Sequence, residues 1–153
     1  MKLTWILAAL LFIAFAIILN LVGPLKGSTS TDFPDNLQPD QNPLPECPDS
    51  PNCVRITVEL DIEPNVLFDI LPRVLEEMNA EEFEQDSQSL QTSAVFRIPL
   101  FGFRDDVSIL IKAKNSNQSL LHLSSRSRDG HGDLGVNRRR VKTFMSTLNK
   151  HLN

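Results

Sequence analysis

The sequence predicts an α+β domain: a two-layer sandwich in which an antiparallel sheet of about four strands carries two helices on one face, in the order β-α-β-β-β-α. Four segments alternate apolar and polar residues, as half-buried strands do, and two segments repeat apolar residues at helical spacing. The last three strand segments follow one another through short connections, which favours an antiparallel meander. A transmembrane helix is expected ahead of this domain.

Residues 1–22 predict that membrane anchor. The stretch 3–22 is apolar apart from Thr4 and Asn20, so it is long enough to cross ~30 Å of hydrocarbon. A cleaved signal peptide is the alternative, but the stretch does not end in the small-residue cleavage site that such peptides carry. Lys2 precedes the span, which favours a single-pass protein whose soluble domain lies on the periplasmic or extracytoplasmic side.

Residues 23–46 predict a proline-rich linker, because they are too polar to form a core and favour extended conformations. A single domain, 47–153, follows it and begins with the only two cysteines, Cys47 and Cys53. Two prolines between them preset turns that bring the sulfurs together. Outside the cytoplasm a structural disulfide is the first interpretation, with free thiols or a reactive pair as alternatives.

The apolar pattern divides the domain into elements. Residues 54–60 alternate strictly and predict a strand. A helix is expected from Pro64 to about Met78, with Pro72 kinking or splitting it. The acidic stretch 81–86 is expected to be a solvated turn.

Three more strands are expected over 90–98, 107–113 and 120–128, and a last helix over 136–152 with one apolar stripe. The connection 99–103 holds several large apolar residues. Core packing is its default interpretation, and a partner-binding or membrane-touching tip is the alternative.

Charge is distributed unevenly along the chain. Residues 32–90 carry fifteen acidic and two basic side chains, whereas residues 91–153 carry eleven basic and four acidic ones. The two halves either neutralise each other within one fold, or the basic half meets an anionic partner. Nucleic acid is not expected, because the net charge is −4 and no aromatic residues are interleaved with the basic stretch.

The run 120–141 concentrates arginines and glycines. Three arginines occupy the first turn of the last helix, where the helix dipole disfavours cations. They either pair with nearby aspartates or, together with the free helix N–H groups and the glycines, hold an anion; catalysis is a third interpretation. The candidate ligand-binding residues are Arg126, Arg128, Arg138, Arg140, Asn137, Asp105, Asp106 and Asp133.

Other candidates are weaker. Asp105 and Asp106 are adjacent on a strand, so their side chains are expected on opposite faces. Asp133 and Asn137 are both candidate caps of the last helix. His131, between two glycines, is interpreted as a solvated loop residue, and no metal site, cofactor or catalytic residue is predicted.

Three motifs resemble the family known as domain of unknown function 1499: CPDSPNCV (47–54), FGFRDDV (101–107) and SRDGHGDLGVNRRRV (127–141). The resemblance implies a protein that is membrane-anchored or exported, often bacterial, and it implies no particular activity. It also implies a set of signature residues, which are Cys47, Cys53, Asp105, Asp106, Arg128, Gly130, Asp133, Gly135, Asn137, Arg138 and Arg140.

The function expected from these features is a membrane-tethered binding or accessory module that recognises an anionic group through its Arg/Gly-rich loop. Its partners would be the membrane, through the N-terminal helix, and an anionic ligand or a membrane protein. Two alternatives are kept: a hydrolase-like enzyme that uses an aspartate with His131, and a purely structural domain of a membrane complex.

Overall fold

A computed structural model describes residues 42–98 and 102–153. The predicted anchor 1–22 and most of the linker 23–46 lie outside these residues. Within the described ranges, no helix combines the length and the apolar character needed to cross a membrane.

The described chain forms one antiparallel sheet of five strands with two helices, so the α+β prediction is confirmed and the predicted count of about four strands is wrong. The strand order is β1-β5-β4-β3-β2: β2 to β5 form a meander, and β1 pairs with β5 at the far edge. The elements are β1 Cys53–Leu60, α1 Pro64–Glu77, β2 Glu82–Asp86, β3 Gln91–Arg97, β4 Arg104–Asn115, β5 Gln118–Ser127 and α2 Val136–Leu152.

Both helices pack on the same face of the sheet, which we call the inner face. Strand alternation places Ile109 and Leu121 on this face, where they meet Leu71 of α1 and Phe144 of α2 in one continuous core. We call the opposite side of the sheet the outer face. Alternation therefore decides which polar residues meet α2 and which face away from it.

The acidic stretch predicted as a turn is strand β2, which is the fifth strand of the sheet. Phe83 is its single inward apolar side chain and packs against the core, while Glu82 and Glu84 remain exposed. β2 pairs antiparallel with β3 along its whole length. Acidic side chains suit this position because β2 is an edge strand, and charge on an edge discourages pairing with other chains.

Pro72 does not split α1, which runs unbroken through it. A proline leaves the carbonyl four residues earlier without its helical donor, here the carbonyl of Phe68. The Gln85 Nε2 of β2 donates to this oxygen at 3.3 Å. A side chain from the neighbouring strand therefore satisfies the group that the proline leaves open.

Candidate functional site

Three loops that are distant in sequence lie at one end of the sheet, where β3 ends, β4 begins, β5 ends and β1 begins. They are the disulfide loop 47–53, the β3–β4 connection and the glycine-rich loop 128–135. The start of α2 lies there too. We call this end of the domain the arginine end, since most of the arginines of the C-terminal half lie on it.

The first loop is closed by the predicted disulfide between Cys47 and Cys53, whose Cα atoms are 5.6 Å apart. Asn52 belongs to this disulfide ring and is buried. Its Nδ2 donates to the carbonyl of Gly130 at 2.6 Å, which joins the ring to the glycine-rich loop. Its own carbonyl accepts from the backbone N–H of Ser127 at 3.0 Å. The disulfide ring is therefore hydrogen-bonded to both ends of the turn that follows β5.

Beneath the glycine-rich loop lies a buried polar network around Arg140. Arg140 Nη2 donates to Asp105 Oδ2 at 2.6 Å, and its Nη1 donates to Asn137 Oδ1 at 2.8 Å and to Ser125 Oγ at 3.1 Å. Its guanidinium also lies over the ring of Phe96, 5.0 Å from the centroid. Asp105 is fully buried, and its Oδ1 has no hydrogen-bond partner in the described chain.

Asn137 is the centre of this network and is itself fully buried. Its Nδ2 donates to three oxygens: the Asn52 carbonyl at 3.0 Å, Ser127 Oγ at 2.9 Å and Asp133 Oδ2 at 2.8 Å. Its Oδ1 accepts from Ser125 Oγ at 2.6 Å as well as from Arg140. One amide thus connects the disulfide ring, β5 and α2.

The start of α2 is capped from within the chain. Gly135 stands at the N-cap position with φ 76°, a left-handed value that suits glycine. The carboxylate of Asp133 supplies the capping bonds: it accepts from the N–H of Gly135 at 2.9 Å and from that of Asn137 at 2.7 Å. Asp133 therefore already occupies donors that an anionic ligand would need.

On the outer face a second, exposed set of charges surrounds Arg128. Its guanidinium forms a forked contact with the carboxylate of Asp106, with N–O distances of 2.7–3.1 Å. This hydrogen bonding raises the pKa of Arg128 above its ordinary value. Arg126, also exposed, lies directly across the strand pair from Asp106.

Three arginines form a row across the outer face. Arg97 of β3 lies opposite Arg104 of β4. The carbonyl of Arg104 accepts from the N–H of Arg128, so these two residues also lie side by side. Like charges in such a row destabilise a sheet. Arg104 is paired with Glu81 through two hydrogen bonds of 2.7 and 3.1 Å, which lower the pKa of Glu81.

The structure thus divides the predicted site residues into two groups instead of one. Asp105 and Asp106 point to opposite faces, as alternation predicts, and each takes a different arginine. Arg138 is half-buried in the first turn of α2. The first group is Asp105, Asp133, Asn137 and Arg140, of which Asp105 and Asn137 are fully buried and the other two partly buried, and the exposed group is Asp106, Arg126 and Arg128.

Sequence reasoning did not include Arg97 and Arg104 in the site. Arg97 lies inside the strand predicted over 90–98 but was not assigned to the site, and Arg104 lies outside the strand predicted from residue 107 because β4 begins at Arg104. The alternation of side chains between the two faces of a strand could have identified them. Counting by twos from the outward Asp106 places Arg104 on the outer face, and the hairpin register then places Arg97 beside it.

His131 is exposed and makes no hydrogen bond to Asp105, Asp106 or Asp133. No group of three or more potential ligands close enough to hold a metal ion occurs in residues 42–98 and 102–153. The crevice between the sheet and α2, lined in part by Phe96, Leu123 and Arg140, has no room for a water molecule. This crevice therefore offers no space for a ligand.

His122 is nearly inaccessible although it belongs to the outer face. Its Nδ1 contacts Thr57 Oγ1 at 2.9 Å, and its Nε2 has no partner among the described residues. Burial lowers the pKa of His122 below its ordinary value of 6.5, and the charge of Lys112 lowers it further. The ring is therefore neutral in the folded protein at neutral pH.

We expect the protein to lose stability as the pH falls below about 6.5, because the unfolded chain then binds a proton at His122 that the folded chain resists. Thermal unfolding of the wild type and of His122→Asn between neutral and mildly acidic pH would measure this. The difference in melting temperature between the two proteins should shrink as the pH falls. An unchanged difference would show that His122 does not cause the acid sensitivity.

The comparisons with known proteins agree with the motif resemblance. The sequence model of the family described as "Protein of unknown function (DUF1499)" matches residues 43–148. The chain belongs to this family. In this DUF1499 protein, the three motif segments are the ones that meet at the arginine end.

No curated protein matches this DUF1499 chain. Among solved structures, the di-domain ARO/CYC BexL from the BE-7585A biosynthetic pathway matches with a TM-score of 0.50 and 9% identity, over 65% of this chain and 46% of BexL. This chain therefore spans less than half of BexL, and the likeness concerns the fold alone. A START superfamily protein from Mycobacterium smegmatis matches with a TM-score of 0.37 and 14% identity, over 65% of this chain and 93% of that protein.

Proposed function

We propose that this protein is a single-pass, membrane-tethered binding module whose domain lies outside the cytoplasm and recognises an anionic group with the exposed arginines of the arginine end. The observation that carries the proposal is the row formed by Arg97, Arg104 and Arg128, with Arg126 in the next row of the same face. Guanidinium groups bind phosphate and carboxylate groups through paired hydrogen bonds.

Among the described residues, two of these four arginines form ion pairs with carboxylates. Arg104 and Arg128 each have one carboxylate, but these pairs are exposed to water, where ion pairs contribute little and exchange readily. In the part of the chain that the structure describes, neither Arg97 nor Arg126 forms an ion pair. An incoming anion would therefore find two unpaired guanidinium groups beside two that can share their donors.

The buried network has a different role in this proposal. This network consists of hydrogen bonds that join Arg140, Asn137 and Asp133 to one another. Asn137 also donates to the disulfide ring, so the network holds the loops of the arginine end in place. These three are positioning residues and do not touch the ligand. This differs from the expectation that Arg140, Asn137 and Asp133 bind the anion themselves.

Two features support the membrane tether and the extracytoplasmic location. Residues 3–22 are long and apolar enough to span a bilayer. The bond between Cys47 and Cys53 is the kind of crosslink that persists in oxidising compartments and is rare in the cytoplasm. The proposal assigns binding and not catalysis, since His131 has no acidic partner in the described chain.

Calorimetric titration of the full chain in detergent with inorganic pyrophosphate tests the proposal. We expect binding that weakens with added salt, and the double variant Arg104→Ala, Arg126→Ala should weaken it by at least about threefold. Lys112→Ala is the matched control, because Lys112 lies on the same face of β4 further from the arginine end. Equal loss in both variants, or binding that salt does not change, would contradict a specific arginine site.

A further inference from the structure

Two large apolar side chains are exposed at the arginine end. Leu134 in the glycine-rich loop is 66% exposed, and Phe103, just before β4, is 49% exposed. In the described ranges, the other exposed large apolar side chain is Val66, in the first turn of α1 at the opposite end of the sheet. Exposed apolar groups that gather at one end, next to arginines, indicate a contact surface.

Leu134 is held in this exposed position by the structure around it. Its backbone has φ 52°, a left-handed conformation that is unfavourable for a leucine. The neighbouring Gly135 N–H is bound to Asp133, and the carbonyl of Leu134 accepts from Arg139 Nη1 at 3.0 Å. The exposure of this leucine is therefore fixed by hydrogen bonds on both sides of it.

The β3–β4 connection presents Phe103 in a similar way. The N–H of Ile98 donates to the carbonyl of Phe103, and the N–H of Gly102 donates to the carbonyl of Ile98, both at 2.8 Å. Gly102 adopts φ 69°, which closes the turn. Arg104, the next residue along the chain, begins the arginine row.

The chemistry that fits this arrangement is the surface of an anionic bilayer. Arginines pair with lipid phosphates at the level of the headgroups, while leucine and phenylalanine side chains gain free energy by entering the acyl region just beneath. Phe103 precedes Arg104 of the arginine row in the chain, and Arg139 Nη1 donates to the carbonyl of Leu134. A soluble anion would use the arginines but would leave both apolar side chains in water.

We infer that the arginine end docks on the membrane, with Phe103 and Leu134 entering the bilayer and the arginines binding lipid phosphate. The inference rests on the proposed function, since it names the source of the anionic group. It goes further because it assigns a role to the two apolar side chains. It also gives the domain a defined orientation, with the arginine end toward the bilayer and Val66 away from it.

Fluorescence quenching by bromine-labelled lipid acyl chains tests this orientation. The full chain would be reconstituted in vesicles with its single tryptophan removed by Trp5→Phe. Phe103→Trp then reports the arginine end, and Val66→Trp reports the other end from a similarly exposed position. Leu134→Trp provides an independent reporter from a second loop.

In vesicles of phosphatidylcholine and phosphatidylglycerol in equal parts, we expect quenching at Phe103→Trp and Leu134→Trp to exceed that at Val66→Trp by at least about threefold. In vesicles of phosphatidylcholine alone, the excess quenching over Val66→Trp should fall, because an uncharged bilayer has no negative surface potential to attract the arginines. Equal quenching at the three positions in the mixed vesicles would overturn the inference.

The pyrophosphate titration separates this failure from failure of the proposed function. Retained pyrophosphate binding with no excess quenching would mean that the arginines serve a soluble anion or an acidic protein, and the inference on the membrane would be wrong. Loss of both would remove the anion-binding proposal itself. Excess quenching that disappears in the Arg104→Ala, Arg126→Ala background would support both.

Discussion

Replacing Arg140 by alanine is expected to destabilise the domain by about 3–5 kcal/mol, because it leaves the fully buried carboxylate of Asp105 without its counter-charge. The change also removes the guanidinium from the face of Phe96 and leaves Asn137 Oδ1 with one donor fewer. A loss of this size is a large part of the stability of an ordinary domain. Thermal unfolding of the full chain, followed by circular dichroism, would measure it.

Two comparisons make this result specific. Arg128→Ala breaks an exposed pair with Asp106 and should change the melting temperature little. The double variant Arg140→Met, Asp105→Leu should be more stable than Arg140→Met alone, because it removes the uncompensated buried charge. If Arg128→Ala were as damaging as Arg140→Ala, the division into a buried network and an exposed surface would be wrong.

The spacing of apolar residues in the sequence was sufficient to predict the elements that bury a continuous apolar face. The helix 136–152 was predicted with the bounds that the structure shows, because its apolar stripe is continuous. β2 was missed because Phe83 is a single apolar residue among acidic ones, and an edge strand needs no more. Gln85 donates to the Phe68 carbonyl that Pro72 leaves open in α1, and no local pattern reveals this contact across seventeen residues.

The sequence predicted where the candidate site lies in the chain but not which of its side chains pair with each other. Alternation correctly sent Asp105 and Asp106 to opposite faces, but it could not choose the arginine for each. That choice depends on where α2 crosses the sheet, which places Arg140 above Asp105, and on the β4–β5 register, which extends to Arg128. Both are properties of the tertiary structure, so the sequence predicted one set of site residues where the structure has two charge clusters.

Asn137→Ala is the second substitution for which a large effect is expected, with a loss of about 3 kcal/mol. The side chain is fully buried, and its removal takes a partner from Ser127, Asp133 and Arg140 at once. Buried polar groups that lose their partners retain the cost of leaving water. The same unfolding experiment measures the effect.

The near-isosteric variant Asn137→Asp separates the hydrogen bonds from the volume of the side chain. It would place a second carboxylate where Asn137 Nδ2 now lies 2.8 Å from Asp133 Oδ2, so repulsion replaces a hydrogen bond. We expect this variant to be less stable than Asn137→Ala at neutral pH and to recover as the pH falls, because protonation restores a donor. A variant that is as stable as the wild type at neutral pH would show that Asn137 does not hold the disulfide ring, β5 and α2 together.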